Sequence, residues 1–165
     1  MNAASRKFRL VTACLVSTLA WASAVADEQS GRNQAVAIVV HDGTHIDDIS
    51  LDQLRRIFLA EQQFWSDRSR ITLLVRAPGA YEREFVLERI YQMNENQFRK
   101  YWIAKMFRAE VPSGPRIVFS TNMALELVTA IPGSITFMNA SDIDETVKVV
   151  RVDGLLPSDD GYPLK

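Results

Sequence analysis

The chain has almost no cysteine. Cys14 is the one thiol in 165 residues, and it falls in the first few turns' worth of sequence. Without that stretch there is no disulfide framework, no thiol nucleophile and no cysteine-based zinc site. Histidine is nearly as scarce, at two residues. Recognisable catalytic motifs are absent as well: there is no G-x-S-x-G elbow, no H-E-x-x-H and no Walker loop, so an enzyme is not expected. Nor is there a long apolar run. Leu10 to Trp21 is the nearest, and it falls short of the roughly 18–20 residues that cross a bilayer.

That run reads as part of an export leader. Arg6, Lys7 and Arg9 make a basic start, the apolar segment follows, and Ala24-Val25-Ala26 offers small residues for cleavage after Ala26. Val11-Thr12-Ala13-Cys14 has the form of a lipid-attachment site, but only Leu10 to Ala13 separate Arg9 from Cys14, and the apolar run continues beyond it. A soluble exported product is expected, not an integral membrane protein. Its boundaries are a leader over 1–26, a polar flexible segment over 27–34, and one domain over 35–165. Loss of Arg6, Lys7 and Arg9 takes 19 cations to 16 against 20 carboxylates, a net charge of −4. That balance argues against nucleic acid or an anionic membrane surface as partner. About 140 residues suffice for one core held without cross-links.

The organising stretch is Ile71 to Tyr91. An apolar, β-branched run predicts a buried strand, Pro78-Gly79 predicts a turn, and a helix should open at Ala80 or Tyr81 with Tyr81, Phe85, Val86 and Ile90 on its apolar face. Upstream, Val36 to Val40 reads as a central strand, and Ser50 caps a helix carrying Leu51, Leu54, Ile57 and Phe58. Phe64 and Trp65 should fold back onto the core. Downstream, Asn94 caps a helix over Glu95 to Arg108, with Phe98, Tyr101, Trp102, Ile103, Met106 and Phe107 as a wide apolar face. Arg116 to Phe119 is a strand. Ser120 or Thr121 caps the next helix, which Pro132-Gly133 stops. Ser134 to Met138 is a strand, and Val147 to Val152 is a last strand whose Lys148 and Arg151 suggest an edge. Leu155 to Lys165 is a Pro/Gly/Asp tail. Strands alternating with helices predict an α/β domain with a mixed, mostly parallel sheet covered by helices.

Several landmarks in order carry a resemblance. Ile49-Ser50 leads into LDQLRRIFLAE (51–61), FRKYWIAKMF covers 98–107, a helix ends in Pro132-Gly133-Ser134-Ile135, and the chain closes with VRVDGLLPSDDGYPLK. Together these resemble the phosphate ABC transporter substrate-binding proteins of the type II periplasmic-binding-protein superfamily, in a short, single-lobe form. The resemblance implies a single-lobe periplasmic-binding-protein-like fold, a periplasmic location, phosphate or another small anion as ligand, and a membrane transporter or sensor protein as partner. It implies no cofactor. The family's ligand turn has the pattern R-x-x-G-S-G-T. The matching stretch here keeps Arg76 and Gly79 but has Ala80, Tyr81 and Glu82 in the last three places. Ala80 lacks the hydroxyl donor, Tyr81 restricts the backbone approach that Gly allows, and Glu82 brings a negative charge into the first helical turn. Weak or degenerate anion binding is the expectation, with Arg76, Gly79, Ala80, Tyr81, Ser120 and Thr121 facing the ligand. The alternative is a protein-interaction module with no small-molecule site.

Each candidate has a plainer reading. Arg76 is an anion clamp, with Arg83 or Arg89 adding field, or an end-of-strand cation paired with Glu82 or Glu84; the ion pair is preferred. Ser120 and Thr121 donate to a ligand or only cap a helix. His41 and His45, with Asp42, Asp47 and Asp48, supply metal-ligand types, but Gly43 opposes the helix their spacing requires, and a solvated loop with no metal is preferred. Phe98, Tyr101 and Trp102 read as core rather than a stacking surface.

Overall fold

The computed structural model describes residues 35–165. The expected leader over 1–26 and the expected flexible segment over 27–34 lie outside them. Six strands form one sheet: β1 (Val36–Val40), β2 (Asp48–Ile49), β3 (Thr72–Arg76), β4 (Arg116–Val118), β5 (Ser134–Asn139) and β6 (Lys148–Val152), in the order β2-β6-β1-β5-β3-β4. Three of the five pairings are parallel, and β1 alone runs antiparallel to both its neighbours. The helices are α1 (Leu51–Phe58), α2 (Tyr81–Val86), α3 (Glu95–Phe107) and α4 (Thr121–Ala130).

Every residue of β1 is buried, which requires cover on both faces of the sheet. The period-two alternation divides them. Val36, Ile38 and Val40 join Phe137 and Ile135 in a core with Leu54 and Phe58 of α1, Val86 of α2, and Phe98 and Trp102 of α3. Ala37 and Val39 join Leu74, Val118 and Met138 in a smaller core with Ala124 and Val128 of α4. Three helices therefore cover one face and α4 the other.

Local chemistry sets the element ends. Ser50 Oγ accepts from Gln53 N, and Asn94 and Gln97 form a reciprocal capping box at α3. The helix opening at Tyr81 is α-helical only to Val86; Leu87–Tyr91 widens into a π-helical turn, closed by Gln92 in the left-handed region at φ 55°. The wider turn brings Leu87, Ile90 and Tyr91 all into the core.

Four expectations need correction. β6 is not an edge: it lies between β1 and β2, and the edges are β2 and β4. Because β2 has only two residues, most of the outer side of β6 is left open, which accounts for the charged positions; Lys148 reaches Asp47 at 2.8 Å. The apolar face of α3 is narrower than its sequence suggests. Ile103, Met106 and Phe107 are exposed, Phe107 at 92%, while Lys105 is buried, paired to Glu110 and set against the Tyr101 ring. Trp65 is buried and donates Nε1–H to Gly133 O at 2.9 Å, but Phe64 stays outside beneath the Arg70 guanidinium. Finally, the closing segment packs rather than trailing off. Val36 N donates to Leu164 O, and Tyr162 OH donates to Val36 O.

Candidate functional site

Parallel strands deliver their carboxyl ends to one side, and an open α/β sheet binds its ligands there. β3 and β4 are paired in parallel, with Arg76 opposite Val118 and Ala77 N donating to Val118 O at 2.8 Å. The two strand-to-helix junctions, 76–81 and 118–121, therefore stand side by side. β5 runs parallel to β3, so its end and the 3₁₀ turn Ala140–Asp142 reach the same side. The six residues expected at the site all lie on these two adjoining junctions.

Arg76 ends β3 with its side chain only 12% exposed. Its Nε lies 4.0 Å from Glu82 Oε2, beyond hydrogen-bond length, and both Nε and Nη1 are buried without a hydrogen-bond partner. The expected Arg76–Glu82 pairing thus exists, but as a long contact that satisfies the charge without satisfying the donors. Gly79 carries the turn at φ 88°, a conformation that glycine adopts without strain. Ala80 is the cap of α2 and supplies no side-chain acceptor. Tyr81 opens the helix with its ring tilted against Phe85, centroids 6.1 Å apart.

The two hydroxyls at the second junction differ. Ser120 Oγ accepts from Met123 N at 3.1 Å as the cap of α4, which uses a lone pair and not its O–H, whereas Thr121 Oγ1 donates to Asp142 Oδ2 at 3.3 Å. Asp142 was not foreseen from sequence. It comes to the site only because β5 is parallel to β3, and nothing local in Asn139–Asp142 signals that. Phe119, between β4 and its cap, stands 75% exposed at the same junction.

Arg83 does not add field to the turn. It is buried, with Nε and Nη2 forked onto both oxygens of Glu95 at 2.9 and 2.8 Å. Its Nη1 donates to the Arg76 carbonyl at 2.7 Å, and Cζ sits 4.7 Å over the Phe98 ring. This hydrogen-bonded fork holds the Glu95 carboxyl below its ordinary value, against the opposing effect of burial. Arg83 thereby ties β3, α2 and α3 together. Arg89 lies over Phe85 instead. On its outer side the turn borders a groove of about 520 Å³, floored by Leu87 and Met93 and walled by Glu84, Glu88 and Glu95. Glu84 and Glu88 therefore add negative charge beside the turn, while Glu95 is balanced by Arg83.

At the other end of the sheet, His41 Nδ1 accepts from Gly43 N, and the Asp47 carboxyl is held low by its hydrogen bond and charge contact with Lys148. Among the described residues no three His, Cys, Asp or Glu side chains converge to hold a metal ion. No described helix is long and apolar enough to cross a membrane.

The fold is that of phosphate substrate-binding proteins. The chain superposes on an ABC-type phosphate transport receptor from Vibrio cholerae with a TM-score of 0.65 and 17% identity, covering 79% of this chain and 53% of the receptor. PstS from Borrelia burgdorferi gives 0.63 and 15%, covering 79% and 54%. A phosphate binding protein from Stenotrophomonas maltophilia gives 0.55 and 17%, covering 75% and 40%. No protein-family model and no curated protein sequence matches the chain. The chain thus has a periplasmic-binding-protein-like α/β fold and spans about half the length of the solved structures it matches, the proportions of a short single-lobe form. Those structures are named for binding and transport, not for catalysis.

Proposed function

We propose that this chain is an exported solute-binding-type domain with a degenerate anion turn, cleaved after Ala26 and working in the periplasm as an accessory or sensory lobe. It takes phosphate or another small anion weakly, and a membrane transporter or sensor protein is its partner. It catalyses no reaction. One observation carries this reading. The buried Arg76 guanidinium faces an internal carboxylate, Glu82, at 4.0 Å, in the position where an anionic ligand is expected. An incoming phosphate must displace or outweigh that charge, and it meets Asp142 at the neighbouring junction as well. The turn itself holds no serine or threonine hydroxyl, since Ala80 stands at the cap, and the Thr121 hydroxyl at the neighbouring junction already donates to Asp142. Isothermal calorimetry of the exported protein against phosphate is the test. Heat too weak to fit, or a Kd of about 1 mM or weaker, is expected. Micromolar binding would refute the reading.

The exposed Phe119 beside the cap of α4 favours a second reading, in which the same face meets a protein and no small molecule. A thermal-shift series over several small anions separates the two, because only a ligand that prefers the folded state raises its melting point.

A further inference from the structure

Two uncovered surfaces meet along α3, and they carry opposite charge. The first is the groove of about 520 Å³ beside the Gly79 turn, where Pro78, Leu87 and Met93 are apolar. Glu84 and Glu88 line it four residues apart. Both are exposed, and neither forms an ion pair among the described residues. Two like charges at that spacing repel, so this wall lacks a cation.

The second is the outer side of α3. Ile103 is 55%, Met106 41% and Phe107 92% exposed, and their spacing of three and four residues makes them one apolar patch. Arg99 and Lys100, one turn earlier, are exposed and likewise outside any ion pair among the described residues. The acid nearest the patch in sequence, Glu110, is taken by Lys105 and Arg108. Glu95, which edges the groove, is followed by Arg99, Ile103 and Met106 at steps of four, four and three residues. Groove and patch therefore open on the same side of α3.

We propose that two copies of this chain pair through this side, the α3 patch of each seated in the acidic groove of the other. The Phe107 ring and Ile103 cover the apolar floor, and the basic turn at Arg99 and Lys100 answers the unpaired acids Glu84 and Glu88. Because one side of α3 carries both surfaces, each copy gives and receives in a single pairing, which closes at two. The contact is small, so the pairing is reversible, with a Kd of about 10–100 µM. It holds whether or not the turn takes an anion.

Sedimentation velocity of the exported protein up to about 0.5 mM tests this, with folding checked by circular dichroism. The parent should pass from monomer to dimer. Phe107→Ser changes one exposed side chain and should weaken pairing about tenfold or more. Glu84→Lys with Glu88→Lys, and separately Arg99→Glu with Lys100→Glu, should each leave a monomer, since groove and patch then carry the same sign. An equimolar mixture of these two double variants should dimerise again, because each reversed surface meets its complement. A parent that stays monomeric at 0.5 mM would overturn the proposal, including one that instead binds anionic vesicles through Phe107. So would a Phe107→Ser protein that pairs as tightly as the parent, or a mixture no more dimeric than its separate components.

Discussion

Glu82→Gln isolates the charge that stands where a ligand is expected, at nearly constant shape. At 4.0 Å two unit charges attract by about 4 kcal/mol under an effective dielectric of about 20. The contact is longer than a hydrogen bond, and about a tenth of each side chain remains exposed, so the net effect of removing one partner is smaller, about 2 kcal/mol. The loss includes the favourable placement of Glu82 in the first turn of α2. For a domain of this size the melting temperature should fall by about 6–8 °C. The variant also leaves the Arg76 guanidinium buried and uncompensated, with the Nε and Nη1 donors still lacking an acceptor. Phosphate should then restore part of the loss in the variant and do little for the parent. Tenfold saturation corresponds to about 1.4 kcal/mol. Circular-dichroism melts of both proteins, in chloride and in phosphate at matched ionic strength, measure the two effects together. If the variant melts within about 2 °C of the parent in chloride, or if phosphate raises both equally, Glu82 does not stand in for a ligand.

Two further outcomes follow from the packing. Glu95→Gln removes the charge that forks Arg83 to three elements and should cost about 1–3 kcal/mol at neutral pH. Because the folded-state value of Glu95 lies below its ordinary 4.5, that stability is present above the ordinary value and lost as pH falls through the lowered one. The difference between parent and variant in urea titrations should therefore shrink from about pH 5 downward; a constant difference across that range would contradict the role given to Glu95. Gly133→Ala should be among the most damaging single changes, at about 3 kcal/mol or more by the same assay. Gly133 sits at φ 74°, and a Cβ there would lie 2.5 Å from the Arg70 carbonyl oxygen, which is backbone and cannot swing aside.

The local pattern was informative for short elements and their ends. The continuous apolar run of β1, the Ser50 cap and the Asn94 cap lie where the sequence places them. The pattern fails where it counts apolar residues but cannot count neighbours. Ile103, Met106 and Phe107 continue the spacing of Phe98 and Trp102, yet only one arc of α3 meets the sheet. Lys105 in turn is buried by a partner, Glu110, and an aromatic face that only the end of the helix provides.

Sequence by itself determined the strand–turn–helix at 71–91, the loss of hydroxyl and glycine at Ala80 and Tyr81, and the acid at Glu82, because each is a property of a residue and its near neighbours. Tertiary structure alone decided what those residues confront. The parallel pairing of β3 with β4 and β5 brings Ser120, Thr121 and Asp142 beside Arg76, and the fold of α3 takes Arg83 away to Glu95. Pairing direction and register depend on contacts between residues far apart in the chain, so no local reading reaches them.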